Sequence, residues 1–80
     1  MLVNMKMPDL ATNDGVDLGV TRWMVEVGQK VVRGQPLLEV ETDKAVQEVE
    51  CIVNGVLQSI LVPAGSKVPV GTIIATIKVG

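Results

Sequence analysis

Five of the nine carboxylates in this chain crowd around one lysine. The segment ETDKA, Glu41 to Ala45, contains Lys44, the only basic residue between Arg33 and Lys67, and Glu39, Glu41, Asp43, Glu48 and Glu50 all lie within six residues of it. An amine that works through Schiff bases must have its ammonium destabilised, by burial or by another cation. Neighbouring carboxylates and an exposed turn do the opposite, so free-amine chemistry is not expected of Lys44. A lysine held out on a turn suits a different role, a point of attachment within reach of a modifying enzyme. Acylation there removes one positive charge and leaves a tether.

The rest of the chain offers little competing chemistry. It has no histidine, which excludes Ser-His and Cys-His catalytic units and any histidine metal site. Cys51 is the single cysteine, so no internal disulfide forms, and it reads as a small apolar core residue. Paired carboxylates need a cleft to separate their proton affinities, and 80 residues of short strands leave little room for one. No catalytic residue and no metal ligand is expected, and the chain reads as one non-catalytic domain over residues 1–80. The formal charge of −2, the lack of a basic stripe and a single aromatic, Trp23, argue against nucleic acid. No apolar run approaches the roughly 18 residues of a membrane span. Pro8 and Asp9 interrupt the first ten residues where a signal peptide needs an apolar stretch, so MLVNMKMPDL reads as a first strand.

The elements that must position Lys44 follow from a repeat. VEVGQKVVRGQPLLEV, Val25 to Val40, aligns with VPAGSKVPVGTIIATI, Val62 to Ile77, at an offset of 37 residues. Val25, Gly28, Lys30, Val31 and Gly34 meet identical residues, while Leu37 meets Ile74 and Val40 meets Ile77. Sixteen valines favour strands. Strands are expected at Val3–Met7, Gly19–Val27, Lys30–Val32, Pro36–Glu41, Val46–Cys51, Val56–Val62, Lys67–Pro69 and Thr72–Val79, with Asn54-Gly55 the strongest short turn signal. Eight short strands without a helical period predict an all-β fold, a flattened barrel or sandwich of two small antiparallel sheets with quasi-twofold symmetry. On this reading Glu41 and Val46 flank a tight turn centred near Asp43 and Lys44. At the same 37-residue offset, Met7 is expected to be the counterpart of Lys44. The stretch PDLATNDGVDL, Pro8 to Leu18, is the one long irregular segment.

The segment LLEVETDKAVQEVE resembles the modification site of lipoyl domains from the acyltransferase component of 2-oxo acid dehydrogenase complexes. Their hallmark is a hairpin turn reading Asp-Lys-Ala, commonly after Glu-Thr or Glu-Ser. The likeness extends over nearly the whole chain, through KMPDL, TRWMVEVGQKVVRGQPL and NGVLQSILVPAGSKVPVGT to the closing strand. It implies a swinging-arm carrier in which lipoic acid is joined to Lys44 by a lipoate ligase or lipoyltransferase. The lipoyl group would be reductively acylated by a thiamine-diphosphate-dependent 2-oxo acid dehydrogenase component. It would then pass the acyl group to coenzyme A in the acyltransferase core of its own chain and be reoxidised by dihydrolipoyl dehydrogenase. Glu41, Thr42, Asp43 and Ala45 would be recognition and turn residues. Where lipoyl domains often continue Pro-Asp-Leu/Ile-Gly-Glu-Gly, this chain has Leu10, Ala11, Thr12, Asn13, Asp14 and Gly15. That loop would be read by the decarboxylating partner, and its departure bears on which 2-oxo acid is processed. Gln47, where an apolar residue is common, is expected to be partly exposed.

Met5-Lys6-Met7 matches the signature of biotin carrier domains, which share this fold. Lys6 has only five residues before it, too few for a strand of ordinary length leading into a turn, so it is expected to be a solvated strand residue. A biotin carrier and an unmodified interaction domain remain the alternatives. Trp23 is expected to pack partly against the core, and Lys30 and Lys67 to be solvated turn residues. The resemblance suggests a bacterial or archaeal cytoplasm ahead of the mitochondrial matrix, and a monomeric isolated domain.

Overall fold

Short runs with one buried face punctuated by glycine turns produce eight strands in the computed structural model, which describes residues 1–10, 17–42 and 44–80. They are β1 (Leu2–Lys6), β2 (Leu18–Trp23), β3 (Lys30–Val31), β4 (Pro36–Glu41), β5 (Val46–Glu50), β6 (Gly55–Ile60), β7 (Lys67–Val68) and β8 (Ile73–Lys78). One antiparallel sheet has the order β1-β8-β6-β3 and the other β5-β4-β2-β7. Each sheet keeps its edge strands, so the fold is a sandwich rather than a closed barrel. Sixteen buried apolar residues fill the space between the sheets, among them Met5, Leu18, Val20, Leu37, Leu38, Val40, Leu57, Ile74 and Ile77, and no described polar or charged residue is buried with them. Trp23 is half-buried against this core and its indole N–H donates to the Val62 carbonyl at 2.8 Å. Cys51 is buried, with its thiol donating to the Val53 carbonyl at 3.0 Å.

The quasi-twofold symmetry is carried by backbone hydrogen bonds as well as by sequence. The Gly28 N–H reaches the Leu57 carbonyl at 2.8 Å, and 37 residues on, the Gly65 N–H reaches the Val20 carbonyl at 2.7 Å. Gly28, Gly34, Gly65 and Gly71 all adopt φ near +90°, a region that other residues enter only with strain. That requirement explains why these positions match across the repeat. Strands β2 and β6 also leave their sheets at equivalent points. β2, expected to run to Val27, ends at Trp23, where the Met24 N–H makes a last bond to the Leu37 carbonyl and Val25 dips into the core. β6 ends at Ile60 in the same way, with the Leu61 N–H bonded to the Ile74 carbonyl.

One expectation is corrected. Met7 is not the counterpart of Lys44. The Met7 N–H donates to the Thr72 carbonyl and the Met7 carbonyl accepts from Gly71, while Cys51 donates to the Gln35 carbonyl and accepts from Gly34, so Met7 and Cys51 are equivalent. The offset is 44 there because the connection between β1 and β2 is longer than that between β5 and β6. The chain bends at Asn54 as expected, but the bend carries it from one sheet to the other rather than into a hairpin, because β5 and β6 lie in different sheets. Gly55 already belongs to β6, and a Cβ there would run into the Lys78 carbonyl oxygen and come within 2.9 Å of Ile77 Cγ2. Close approach of β8, not a tight turn, requires this glycine.

A pair of register shifts completes the symmetry. β4 slips against β5 between Pro36 and Leu38, and β8 slips against β1 between Ile73 and Ala75. The extra residues are Leu37 and Ile74. Both are fully buried beside the buried Leu38 and Ala75, which a regular pleat, with neighbours facing opposite ways, does not allow.

Candidate functional site

β4 and β5 bring their ends together at one pole of the molecule. Glu41 and Val46 are register partners, and the chain turns between them. The Thr42 N–H donates to the Ala45 carbonyl at 2.8 Å, closing the turn through the backbone. The Thr42 side chain closes it again. Its Oγ1 donates to the Ala45 carbonyl at 2.9 Å and accepts from the Lys44 and Ala45 N–H groups at 3.2 and 3.1 Å. Serine and threonine hydroxyls stabilise turns by such local bonds. Lys44 itself is exposed, and no ion pair with a described residue engages its ammonium.

The tip stands away from the rest of the chain's business. From Gly19, opposite Glu41, β2 runs to Trp23 near the middle of the molecule. The chain continues to Lys30 and Val31, which pair with Val56 and Gly55, and Val56 lies opposite Lys78. Val79 and Met1 are joined just beyond, with the Val79 N–H donating to the Met1 carbonyl at 2.8 Å. The Lys44 turn and the Met1–Val79 pair thus lie at opposite ends of this path through a molecule of 37 × 20 × 19 Å.

The sheet under the tip is acidic. Glu41, Glu48 and Glu50 are exposed on β4 and β5; Glu39, half-buried, lies opposite both Glu48 and Arg22. The Arg22 Nε–H donates to Glu39 Oε1. The strands of the other sheet carry Lys6, Lys30 and Lys78 and no carboxylate. This division between the faces was not foreseen from sequence, because it depends on which strands share a sheet.

Of the residues expected at the site, Glu41, Thr42, Lys44 and Ala45 come together at the tip, while Asp43 lies outside the described residues. Gln47 is half-buried, its position opposite Val40 turning it toward the core at the sheet's end. Of the proposed recognition loop, Leu10 is half-buried against the core, and Ala11, Thr12, Asn13, Asp14 and Gly15 lie outside the described residues. Leu10 also lines a groove of about 430 Å³ between the edge strands β1 and β5, together with Met5, Val49 and Cys51. Lys6 is exposed on β1, as expected of a solvated strand residue, and Lys30 and Lys67 are exposed at the starts of β3 and β7. Among the described residues no cluster suited to a metal ion occurs, and no helix is long and apolar enough to cross a membrane.

Comparison with known proteins identifies the family and the fold. The Biotin_lipoyl family model, described as biotin-requiring enzyme, matches residues 3–77. A dihydrolipoyllysine-residue acetyltransferase component of the pyruvate dehydrogenase complex from Rickettsia bellii is 37% identical over 96% of this chain. A succinyltransferase component of the 2-oxoglutarate dehydrogenase complex from Bacillus subtilis is 39% identical over 99% of it. The chain spans about a fifth of the length of these relatives, 18% and 19% respectively. The lipoyl domain of the 2-oxoglutarate dehydrogenase complex from Azotobacter vinelandii superposes with a TM-score of 0.79 and 28% identity, covering 98% of both chains. The chain belongs to the biotin/lipoyl-attachment family, and within it resembles the lipoyl domains of dihydrolipoyllysine acyltransferase components.

Proposed function

We propose that residues 1–80 form a non-catalytic carrier domain in which Lys44 is the attachment point for a lipoyl group. The observation that supports this most directly is an exposed lysine on a turn fixed by Thr42, at the pole opposite Met1 and Val79. The residues fit such a group: the ammonium is unpaired by described residues, and the tip projects beyond the paired ends of β4 and β5. Lys44 Nζ would hold the lipoyl group through an amide, with ATP consumed to activate the lipoate carboxyl and a proton released from the amine. When bound, the lipoyl group supplies acyl-carrying dithiol chemistry between a thiamine-diphosphate-dependent 2-oxo acid dehydrogenase component, the acyltransferase core and dihydrolipoyl dehydrogenase. The chain's own contribution is presentation. The buried core holds β4 and β5 rigid, the turn keeps the amide clear of the surface, and tethering raises the effective concentration of the carried group at each partner.

Glu41, Asp43 and Ala45 act in this reading as turn and recognition residues, and the loop from Leu10 to Gly15 contributes to recognition by the decarboxylating component. The bacterial sources of the relatives favour a bacterial chain working in the cytoplasm. Incubation with a lipoate ligase, ATP and lipoate, followed by intact mass and peptide mapping, tests the assignment. One lipoyl adduct on the Glu41–Val46 peptide is expected. A folded chain that takes no adduct is an interaction domain instead, and one that takes biotin from a biotin ligase at Lys44 is a biotin carrier.

A further inference from the structure

We propose that Thr42 is a positioning residue for the modification of Lys44, acting through the backbone of the turn and not by touching the modifying enzyme. The inference rests on the reading of Lys44 as the attachment site. A hydroxyl has one proton to donate and two lone pairs to accept with. In Thr42 all three are spent inside the turn, on the Ala45 carbonyl and on the N–H groups of Lys44 and Ala45. Nothing is left over for a partner to read. The same bonds fix the backbone on which the Lys44 side chain is mounted.

The fold itself does not demand this clamp. Thr42 and Ala45 are related by the quasi-twofold to Val79 and Met1, where the closing bond between backbones recurs at the same 2.8 Å. Val79 has no hydroxyl, and there the second bond comes from the Met1 nitrogen, which donates to the Val79 carbonyl at 3.0 Å. A clamp made by a side chain is therefore found only at the end that carries Lys44. Without Oγ1, the Lys44 N–H has no described protein partner and turns to water, and the tip is held by the single Thr42–Ala45 backbone bond. A modifying enzyme must then order the tip as it binds, a cost that falls on binding and not on the chemical step.

Thr42→Val keeps the β-branched shape and removes the hydroxyl, while Thr42→Ser keeps the hydroxyl. With lipoate, ATP and a lipoate ligase, Thr42→Val is expected to raise KM for the domain by roughly 3–10-fold, with kcat within about twofold of the parent. Amide hydrogen exchange at Lys44 and Ala45 accelerates in the same variant. Thr42→Ser restores both readouts, and Trp23 fluorescence verifies that each variant is folded. An unchanged KM in Thr42→Val, a loss confined to kcat, or a Thr42→Ser variant as impaired as Thr42→Val each overturns the positioning role and leaves the attachment reading standing. A parent chain that is never modified removes both.

Discussion

At one end of the molecule Thr42 and Ala45 close a turn that carries Lys44; at the other, Met1 and Val79 make the same backbone bond with no turn between them. The rows of side chains that lead to the two ends are equally instructive. Arg22, Glu39 and Glu48 lie side by side across β2, β4 and β5, and their symmetry mates across β6, β8 and β1 are Ser59, Thr76 and Asn4. One row is charged, with an ion pair and two carboxylates opposed. The other is neutral, with Ser59 and Thr76 hydrogen-bonded at 2.6 Å. The two halves thus share backbone, turns and core, and differ in what they show to solvent. In the proposed function, that outer difference is what makes one pole a site and leaves the other a support.

The sharpest break between the poles comes from Lys44→Arg. Lipoylation should vanish entirely, with the unfolding free energy unchanged to within about 0.5 kcal/mol because a solvated tip contributes little stability. Residual adduct at any other lysine would show that the two ends are less distinct than the geometry implies. The shared core predicts the reverse. Leu37→Ala and Ile74→Ala, at the paired bulges, should each destabilise by about 2–5 kcal/mol and agree to within about 1 kcal/mol, measured by urea denaturation with Trp23 fluorescence. A wider gap would mean that the halves are equivalent in backbone but not in packing. Gly55→Ala probes where the symmetry fails, since its mate is Leu18. It should cost about 1–3 kcal/mol through overpacking against β8; a neutral result would mean that β8 yields readily. The smallest effect belongs to the charged row. Arg22→Ala should cost under about 1 kcal/mol, shrinking with added salt as the Glu39–Glu48 repulsion is screened, whereas Ser59→Ala should show no such salt dependence.

Much of this was legible in the sequence because the symmetry is written there. Glycines required at φ near +90° recur at a fixed spacing, and Pro36–Glu41 and Val46 place the flanks of the Lys44 turn where the structure has them. The bulges at Leu37 and Ile74 were missed because a period-two reading assumes an unbroken pleat. The adjacent apolar pairs Leu37-Leu38 and Ile74-Ala75, at matching places in both halves, were their signature. Met7 was mispaired because one offset was applied across a connection that changes it. Asn54-Gly55 marked the bend but not its destination: a turn signal is local, and the sheet to which the next strand goes is not. The bonds of Thr42 all fall within three residues and were open to inference from the threonine alone. The acidic and basic faces were hidden until the strand order was known.

One feature of the topology also bears on time. The first strand, β1, has a single neighbour in its sheet, and that neighbour is β8, the last of the eight. Leu2 and Lys78 must meet across nearly the whole chain, a closure whose entropic cost grows with loop length and which slows folding. During synthesis, at roughly 5–20 residues per second, β1 therefore waits for β8 to emerge. Until it does, the hairpin bearing Lys44 lies over half a core. If Lys44 is the attachment point, a ligase that requires an ordered tip would act only after the eighth strand has emerged, so attachment would wait on a strand made after the lysine itself.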